Sequence, residues 1–215
     1  MKIVSVKNLV IPEVKIITFQ RSLDNRGYFT ETYRKNEVET NPQTTFLKGV
    51  NFSQINESYS KKQVFRGFHF QWNPYMAKML RVIKGNVIDF ALDIRPYSET
   101  FGKIVGAELS SQENKEINEW IWIPVGFAHG IYFLEDSIID YFCTGQWAPD
   151  SEQVISPYSS DIDWSLIDPQ VKDKLSELLN KSAIISDKDK NGITLKQWHE
   201  SKNSENFKSE VLNRY

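Results

Sequence analysis

Cysteine is almost absent from this sequence, whose 215 residues include only Cys143. A single thiol cannot form an intrachain disulfide, so the fold must be held together by its core, and a reducing compartment is favoured. A chain of this length can bury a substantial core without such cross-links. The length fits one domain, or one domain with an appended helical piece.

Long apolar and long basic runs are also missing. No apolar stretch approaches the roughly 20 residues that a membrane helix requires. Lys2 and Lys7 interrupt the N-terminal segment where a secretory signal would have its apolar core. The formal net charge is −2, which argues against duplex nucleic acid as a partner. We therefore expect a cytoplasmic protein that binds neither a membrane nor nucleic acid.

Short strand patterns dominate residues 1–165. In residues 87–94 apolar side chains recur at every second position, and the preceding Gly85-Asn86 predicts a hairpin with residues 79–83. Many such strands, separated by turns and with no helices between them, predict a mainly β sandwich or barrel rather than a parallel sheet.

The character of the sequence changes after Pro157. Asp168-Pro169 is a typical helix start, with aspartate as the cap and proline in the first turn. The apolar residues that follow at helical spacing are Val171, Leu175, Leu178 and Leu179. We predict that residues 166–215 form a helical segment that packs on the barrel, contributes to the site and ends in a polar tail.

Residues 64–78 carry Arg66, His69 and Lys78 among bulky apolar neighbours. In a regular strand Arg66 and His69 would point to opposite faces, but Gly67 between them can host a bulge that turns both toward one cavity. The two phenylalanines beside His69 form a low-dielectric wall, which tends to keep an imidazole neutral and usable as a general base. The alternative is a core histidine with a satisfied hydrogen bond.

Several separate segments together resemble one enzyme family. They are, in chain order, Asp24-Asn25-Arg26-Gly27-Tyr28-Phe29-Thr30-Glu31, Gln54-Ile55-Asn56, Phe65-Arg66-Gly67-Phe68-His69-Phe70-Gln71, Lys78, Thr100-Phe101-Gly102, Trp122-Ile123-Pro124-Val125-Gly126-Phe127-Ala128-His129-Gly130, Tyr141 and Ser186-Asp187-Lys188-Asp189. In this order they resemble the dTDP-4-dehydrorhamnose 3,5-epimerase family over residues 16–195. The resemblance implies a double-stranded β-helix (the cupin-type jelly roll) with short C-terminal helices. It also implies a cofactor-independent enzyme acting on a 4-keto-6-deoxy sugar linked to a nucleoside diphosphate.

The resemblance implies four catalytic residues. The ketone at C4 of the sugar acidifies the hydrogens at C3 and C5, so one group must remove a proton and another must return one to the opposite face. His69 matches the family's base, Asp189 the carboxylate that orients it, and Tyr141 the acid. Lys78 matches a cation near the developing enolate, where a preorganised charge contributes about 3 to 4 kcal/mol. Alone, each of these residues has an ordinary structural explanation, and only their joint occurrence favours function.

The substrate-binding positions carry over in the same way. They are Arg26, Glu31, Gln54, Asn56, Arg66, His129, Trp147, Glu152 and Lys188. Arginine suits the oxygens of a diphosphate, and Trp147 replaces a tyrosine that stacks on the nucleobase. The family residue that matches Glu31 reaches in from a neighbouring subunit. The resemblance therefore implies a homodimer with exchanged N-terminal strands, which would also cover exposed sheet edges.

A bound metal is not expected. A cupin metal site requires a His-x-His pair with a glutamate soon after and a later histidine. Gln71 replaces the second histidine of that pair, and Lys78 would repel a cation. The sequence also has neither a glycine-rich dinucleotide fingerprint nor a phosphate loop.

Departures from the family leave the substrate open. The usual Tyr-Lys-Thr-Thr segment is Tyr141-Phe142-Cys143-Thr144 here, and the loop over residues 110–119 is longer than in the family. The enzymatic alternatives are an epimerase that acts on one carbon, a 3,4-ketoisomerase, and an enzyme for related sugars such as heptoses. The non-enzymatic alternative is a silent sugar-nucleotide-binding domain.

Overall fold

The computed structural model describes residues 1–208 and residue 212, and most of its regular structure is strand. The strands are β1 (Ile3–Asn8), β2 (Lys15–Gln20), β3 (Ser22–Asp24), β4 (Gly27–Phe29), β5 (Gln54–Ser60), β6 (Val64–Gln71), β7 (Lys78–Asp93), β8 (Ile104–Ser111), β9 (Ile117–Ile123), β10 (Phe127–Phe133), β11 (Ser137–Cys143), β12 (Glu152–Val154) and β13 (Ile184–Ile185). The α-helices are α1 (Lys35–Thr40), α2 (Pro169–Lys172), α3 (Ser176–Leu179), α4 (Asp187–Lys190) and α5 (Leu195–Glu200). Shorter 3₁₀ turns cover Pro42–Leu47, Pro149–Ser151, Asp173–Leu175 and Lys202–Phe207.

The long strand β7 belongs to two packed sheets. Its first half pairs with β9 and β11 in a sheet of order β1-β2-β9-β7-β11-β5. Its second half pairs with β8 and β10 in a sheet of order β8-β7-β10-β6, where β12 and β13 flank the far side of β6. A strand that changes sheets in this way joins the two layers into a barrel.

The predicted hairpin around Gly85-Asn86 is wrong, because β7 runs unbroken from Lys78 to Asp93. Gly85 has a φ of +95°, and a Cβ there would lie 2.2 Å from the Oγ of Ser137. The glycine that predicted a turn therefore permits the bend at which β7 leaves one sheet for the other.

Apolar side chains pack in three clusters. The predicted alternation in the second half of β7 is confirmed, since Ile88, Phe90, Leu92 and Ile94 all lie in the cluster that the C-terminal segment covers with Leu175, Leu178 and Trp198. Val87 and Ala91, at the alternate positions of the same strand, belong to a second cluster. A third cluster packs Met79 and Trp120 against the N-terminal part of the chain.

The C-terminal segment begins its helices where predicted. Asp168 caps α2 by accepting a hydrogen bond from the main chain of Gln170, and Pro169 is its first residue. A 3₁₀ turn at Asp173–Leu175 divides the helical pattern of Val171, Leu175, Leu178 and Leu179 between α2 and α3. Leu178 is buried, whereas Leu179 is exposed. The end of the predicted polar tail, residues 209–211 and 213–215, lies outside the described residues.

The predicted fold class, a mainly β jelly roll with short C-terminal helices, is confirmed by this architecture. Within residues 1–208 and 212, no helix is both long enough and apolar enough to span a bilayer. The domain boundary at residue 165 and the cytoplasmic location stay predictions.

Candidate active site

A cavity of about 830 Å³ opens inside the barrel between the two sheets. Its walls come from β5, β6, β10 and β11, and the short strand β13 and helix α4 close one side. The predicted site residues that line it are Arg66, His69, Lys78, His129, Tyr141, Lys188 and Asp189. Its volume is in the range of small-molecule sites, about 300 to 1,000 Å³.

Gly67 brings Arg66 and His69 to this one cavity, as predicted. In the pairing of β6 with β10, His69 lies opposite His129 and Arg66 lies opposite Ile131, so β6 has one extra residue between the two positions. Gly67 has a φ of +122°, which favours glycine. The bulge reverses the in-out alternation of the strand, and both side chains line the same wall.

His69 lies between two carboxylates. Its Nε2 is 2.8 Å from the Oδ1 of Asp189, and its Nδ1 is 3.3 Å from the Oε1 of Glu152. Ionised carboxylates can only accept, so both contacts are hydrogen bonds when the imidazole carries a proton on each nitrogen. Burial lowers the pKa of His69, but the hydrogen bonds to Asp189 and Glu152 outweigh it and raise the pKa above its ordinary value. The carboxylates on α4 and β12 therefore favour the imidazolium form, against the effect of the aromatic wall, which favours a neutral imidazole.

Helix α4 fixes the position of Asp189. The main-chain nitrogen of Asp189 donates to Ser186 Oγ, and its carboxylate Oδ2 accepts a hydrogen bond of 3.2 Å from the main chain of Gly67. Burial raises the pKa of Asp189, but the hydrogen bonds from His69 and Gly67 bring it below its ordinary value. Asp189 therefore stays ionised and can orient His69 as the carboxylate of a His-Asp dyad.

A second polar cluster joins Lys78, His129 and Asp89. The Nζ of Lys78 lies 3.5 Å from the Nδ1 of His129, whose Nε2 lies 2.9 Å from the Oδ2 of Asp89. Burial lowers the pKa of Lys78 and also the pKa of His129. A neutral His129 can then accept from Lys78 and donate to Asp89. Sequence reasoning missed Asp89, whose only signal is a carboxylate at a core position of a strand.

Tyr141 of β11 faces the same cavity. Burial raises the pKa of its hydroxyl, and the smaller effects of Arg66 and Asn56, which favour ionisation, do not reverse that direction. The phenol therefore keeps its proton at neutral pH, so it is suited to donate a proton rather than to remove one.

Three other predicted binding residues lie near one end of β5. The amide of Gln54 donates to the Oδ1 of Asn56 at 2.9 Å and accepts from the main chain of Trp147 at 2.9 Å. The side chain of Trp147 is 59% exposed and does not line the cavity.

Arg66 donates to the Oγ of Ser60, and no carboxylate within the described part of the chain pairs with it.

Arg26 and Glu31 lie away from the cavity of their own chain. Arg26 sits at the tip of the β3-β4 hairpin, where its 85% exposed side chain pairs with Asp24. Glu31 pairs with Arg34 and with the amino group of Met1.

The structure also bears on metal binding. Among the described residues, no group of three or more His, Cys, Asp or Glu side chains is placed to hold an ion. The amide of Gln71 bonds the carbonyl oxygen of Pro74 and the main-chain nitrogen of Ala148, so it supports a turn.

The chain is similar to proteins of one family. The sequence model of the dTDP-4-dehydrorhamnose 3,5-epimerase family matches residues 8–197. A dTDP-4-dehydrorhamnose 3,5-epimerase of Methanothermobacter thermautotrophicus is 35% identical over 194 residues, 90% of this chain and 92% of that protein. Another, from Neisseria gonorrhoeae, is 40% identical over 146 residues, 67% of this chain and 42% of that protein, so the match spans less than half of the latter.

Solved structures that are similar to this chain come from epimerases as well. The crystal structure of dTDP-6-deoxy-D-glucose-3,5-epimerase from Legionella pneumophila, in complex with dTDP-4-keto-L-rhamnose, matches with a TM-score of 0.73 and 34% identity. The match covers 89% of this chain and 93% of that one. The epimerase of Mycobacterium tuberculosis matches with a TM-score of 0.78 and 27% identity, covering 98% and 97% of the two chains.

The barrel fold and these matches thus define an isomerase of the jelly-roll type. The chain belongs to the dTDP-4-dehydrorhamnose 3,5-epimerase family. The predicted enzyme class, a 3,5-epimerase of nucleoside-diphosphate 4-keto sugars, is confirmed.

Proposed function

We propose that the barrel cavity binds a nucleoside-diphosphate 4-keto-6-deoxy sugar and epimerises it at C3 and C5, with His69 as base and Tyr141 as acid. One observation carries this proposal: a carboxylate-held histidine and a protonated tyrosine line the same cavity as a lysine. Epimerisation needs two proton carriers, because a single one would tend to restore the starting configuration.

Lys78 and His129 stabilise the enolate in this proposal. When His69 removes the proton at C3 or C5, the electron pair moves toward the oxygen at C4. Lys78 lines the cavity and brings a positive charge to that oxygen, and Asp89 holds His129 in place beside it. A preorganised charge at a developing oxyanion contributes about 3 to 4 kcal/mol to lowering the barrier.

Arg66 anchors the diphosphate in this proposal. Its guanidinium lines the cavity without a carboxylate partner among the residues described, so its charge is available for phosphate oxygens. Gln54, Asn56 and the exposed ring of Trp147 lie near one another and are suited to contact the nucleobase. Because the relatives are named for dTDP substrates, we propose a dTDP-linked sugar.

A homodimer would explain the positions of Arg26 and Glu31. Both lie outside the cavity of their own chain, on or next to a β3-β4 hairpin that exposes the ring of Phe29. We propose that this N-terminal region is exchanged between subunits, so that Arg26 and Glu31 complete the partner's site.

Mixed dimers test the exchange. His69→Asn and Arg26→Ala chains should each be inactive alone, whereas unfolding and refolding them together should restore about a quarter of the wild-type activity, since half of a random population is mixed and each mixed dimer has one intact site. A mixture that stays inactive would contradict exchange.

Isotope incorporation tests the reaction. With substrate in deuterated water, we expect label at both C3 and C5 and no label with His69→Asn. Label at one carbon would instead indicate a single-carbon epimerase, and a shifted ketone would indicate a 3,4-ketoisomerase. A silent binding domain would give no label even in the wild type.

Thermal stabilisation by nucleotides identifies the base. A ligand that binds only the folded state raises the melting temperature according to its occupancy. We expect dTDP to raise it more than UDP, GDP or CDP at equal concentration.

A further inference from the structure

Both ring nitrogens of His69 are occupied. Asp189 holds Nε2 and Glu152 holds Nδ1, so this arrangement favours the imidazolium, in which both nitrogens donate and which is the form that His69 would reach after removing a proton. Before each proton abstraction, one nitrogen must therefore release its proton. Tyr141 cannot take over as base, since burial keeps its own hydroxyl protonated.

The two carboxylates differ in access to solvent. The side chain of Asp189 is 6% exposed and also accepts from the main chain of Gly67, whereas the side chain of Glu152 is 13% exposed. Glu152 makes the longer contact with His69, and its other oxygen pairs with Lys188. The side chain of Lys188 is 58% exposed, so the Glu152–Lys188 pair connects the histidine to the cavity edge.

We propose that Glu152 is the port through which His69 Nδ1 exchanges its proton with solvent water. This inference rests on the proposed function. The N–H bond at Nδ1 breaks, its electron pair stays on the nitrogen, and an O–H bond forms on Oε1 of Glu152. The hydrogen bonds from His69 and Lys188 lower the pKa of Glu152 to about 2, so the neutral carboxylic acid gives the proton to water at once and regains its negative charge, which leaves His69 neutral.

The need for such a port follows from the two-carbon reaction. His69 must act twice on one bound sugar, and the substrate fills the cavity between the two events. Among the described residues, the charged and titratable groups that contact or act on His69 are Asp189 on α4, Glu152 on β12, Lys78 on β7 and His129 on β10, and Lys188 on α4 pairs with Glu152. Of these, only Glu152 is an acceptor at Nδ1.

Chemical rescue tests the port. Glu152→Ala should lower kcat about tenfold or more with little change in KM, because general acid–base groups contribute at least that much. Formate or acetate should restore kcat in proportion to its concentration, while chloride at the same ionic strength should not. In single turnovers the product epimerised at one carbon should accumulate, because unloading of His69 delays the second step.

Two further variants keep the test decisive. Glu152→Gln preserves the shape of the side chain but cannot carry a proton, so it should show the same loss of kcat without rescue. Glu57→Gln removes a carboxylate that lines the same cavity without contacting His69, and its kcat should not depend on formate.

The outcomes separate the inference from the proposed function. A loss confined to KM would make Glu152 a substrate contact only, and a kcat loss that no carboxylic acid rescues would also overturn the port. Wild-type protein that incorporates no deuterium would instead overturn the proposed function.

Discussion

The carbonyl oxygen of His129 lies only 2.5 Å from the point where a Cβ on Gly67 would be placed. The Cα of Gly130 is 2.6 Å from the same point, so both obstacles are main-chain atoms that cannot rotate away. This close approach of β6 and β10 sets His69 opposite His129 in the register of the two strands.

Gly67→Ala should therefore destabilise the fold by several kcal/mol, on the order of 3 to 5, through steric overlap added to a positive φ. Gly27 is a matched control, because its φ is +125° but nothing lies within 4 Å of its Cβ position. Gly27→Ala should cost only about 1 to 2 kcal/mol. Urea unfolding of both variants measures the difference, and equal losses would contradict the role given to the contact.

Lys78→Met should separate activity from stability. Activity should fall about 10² to 10³-fold, because the enolate loses its cation. Since burial lowers the pKa of Lys78, its charged form opposes folding at neutral pH. An apolar replacement should leave the free energy of unfolding unchanged or raise it by about 1 kcal/mol. Lys84→Met, an exposed site on the same strand, should change neither quantity, and a marked loss of stability for Lys78→Met would contradict this account.

The sequence predicted features that depend on local pattern. Alternation predicted the strands, Asp168-Pro169 the helix start, and Gly67 the bulge. Local pattern does not identify partners far along the chain: the family resemblance named Asp189 as the partner of His69, but the contact of His69 with Glu152 was missed. The resting charge of His69 depends on Glu152, which is 83 residues away, and on Asp189, which is 120 residues away. Gly85-Asn86 predicted a hairpin turn because the same two residues also suit the bend at which β7 passes from one sheet to the other.

The stability of the protein should depend on pH through His69. Its pKa is raised above the ordinary value of 6.5 in the folded state, so the imidazolium stabilises the fold fully below pH 6.5. That contribution is lost as the pH rises through the raised pKa. The free energy of unfolding of wild type relative to His69→Asn should therefore be larger at pH 6 than at pH 9. Denaturant titrations at both values check this, and a difference of opposite sign would mean that burial dominates.

Cys143 should be unreactive in the folded protein. Its side chain is fully buried at the end of β11, and burial raises the pKa of the thiol against the influence of Lys78. The thiolate is the reactive form, so labelling by a disulfide reagent at pH 8 requires the barrel to open. We expect labelling to follow the same urea dependence as global unfolding, with Cys143→Ser giving no signal. Stoichiometric labelling of the native protein at the rate of a free thiol would show that β11 opens independently of the core. Tyr141 lies on the same strand, so it would then be too mobile to deliver a proton to a fixed face of the sugar.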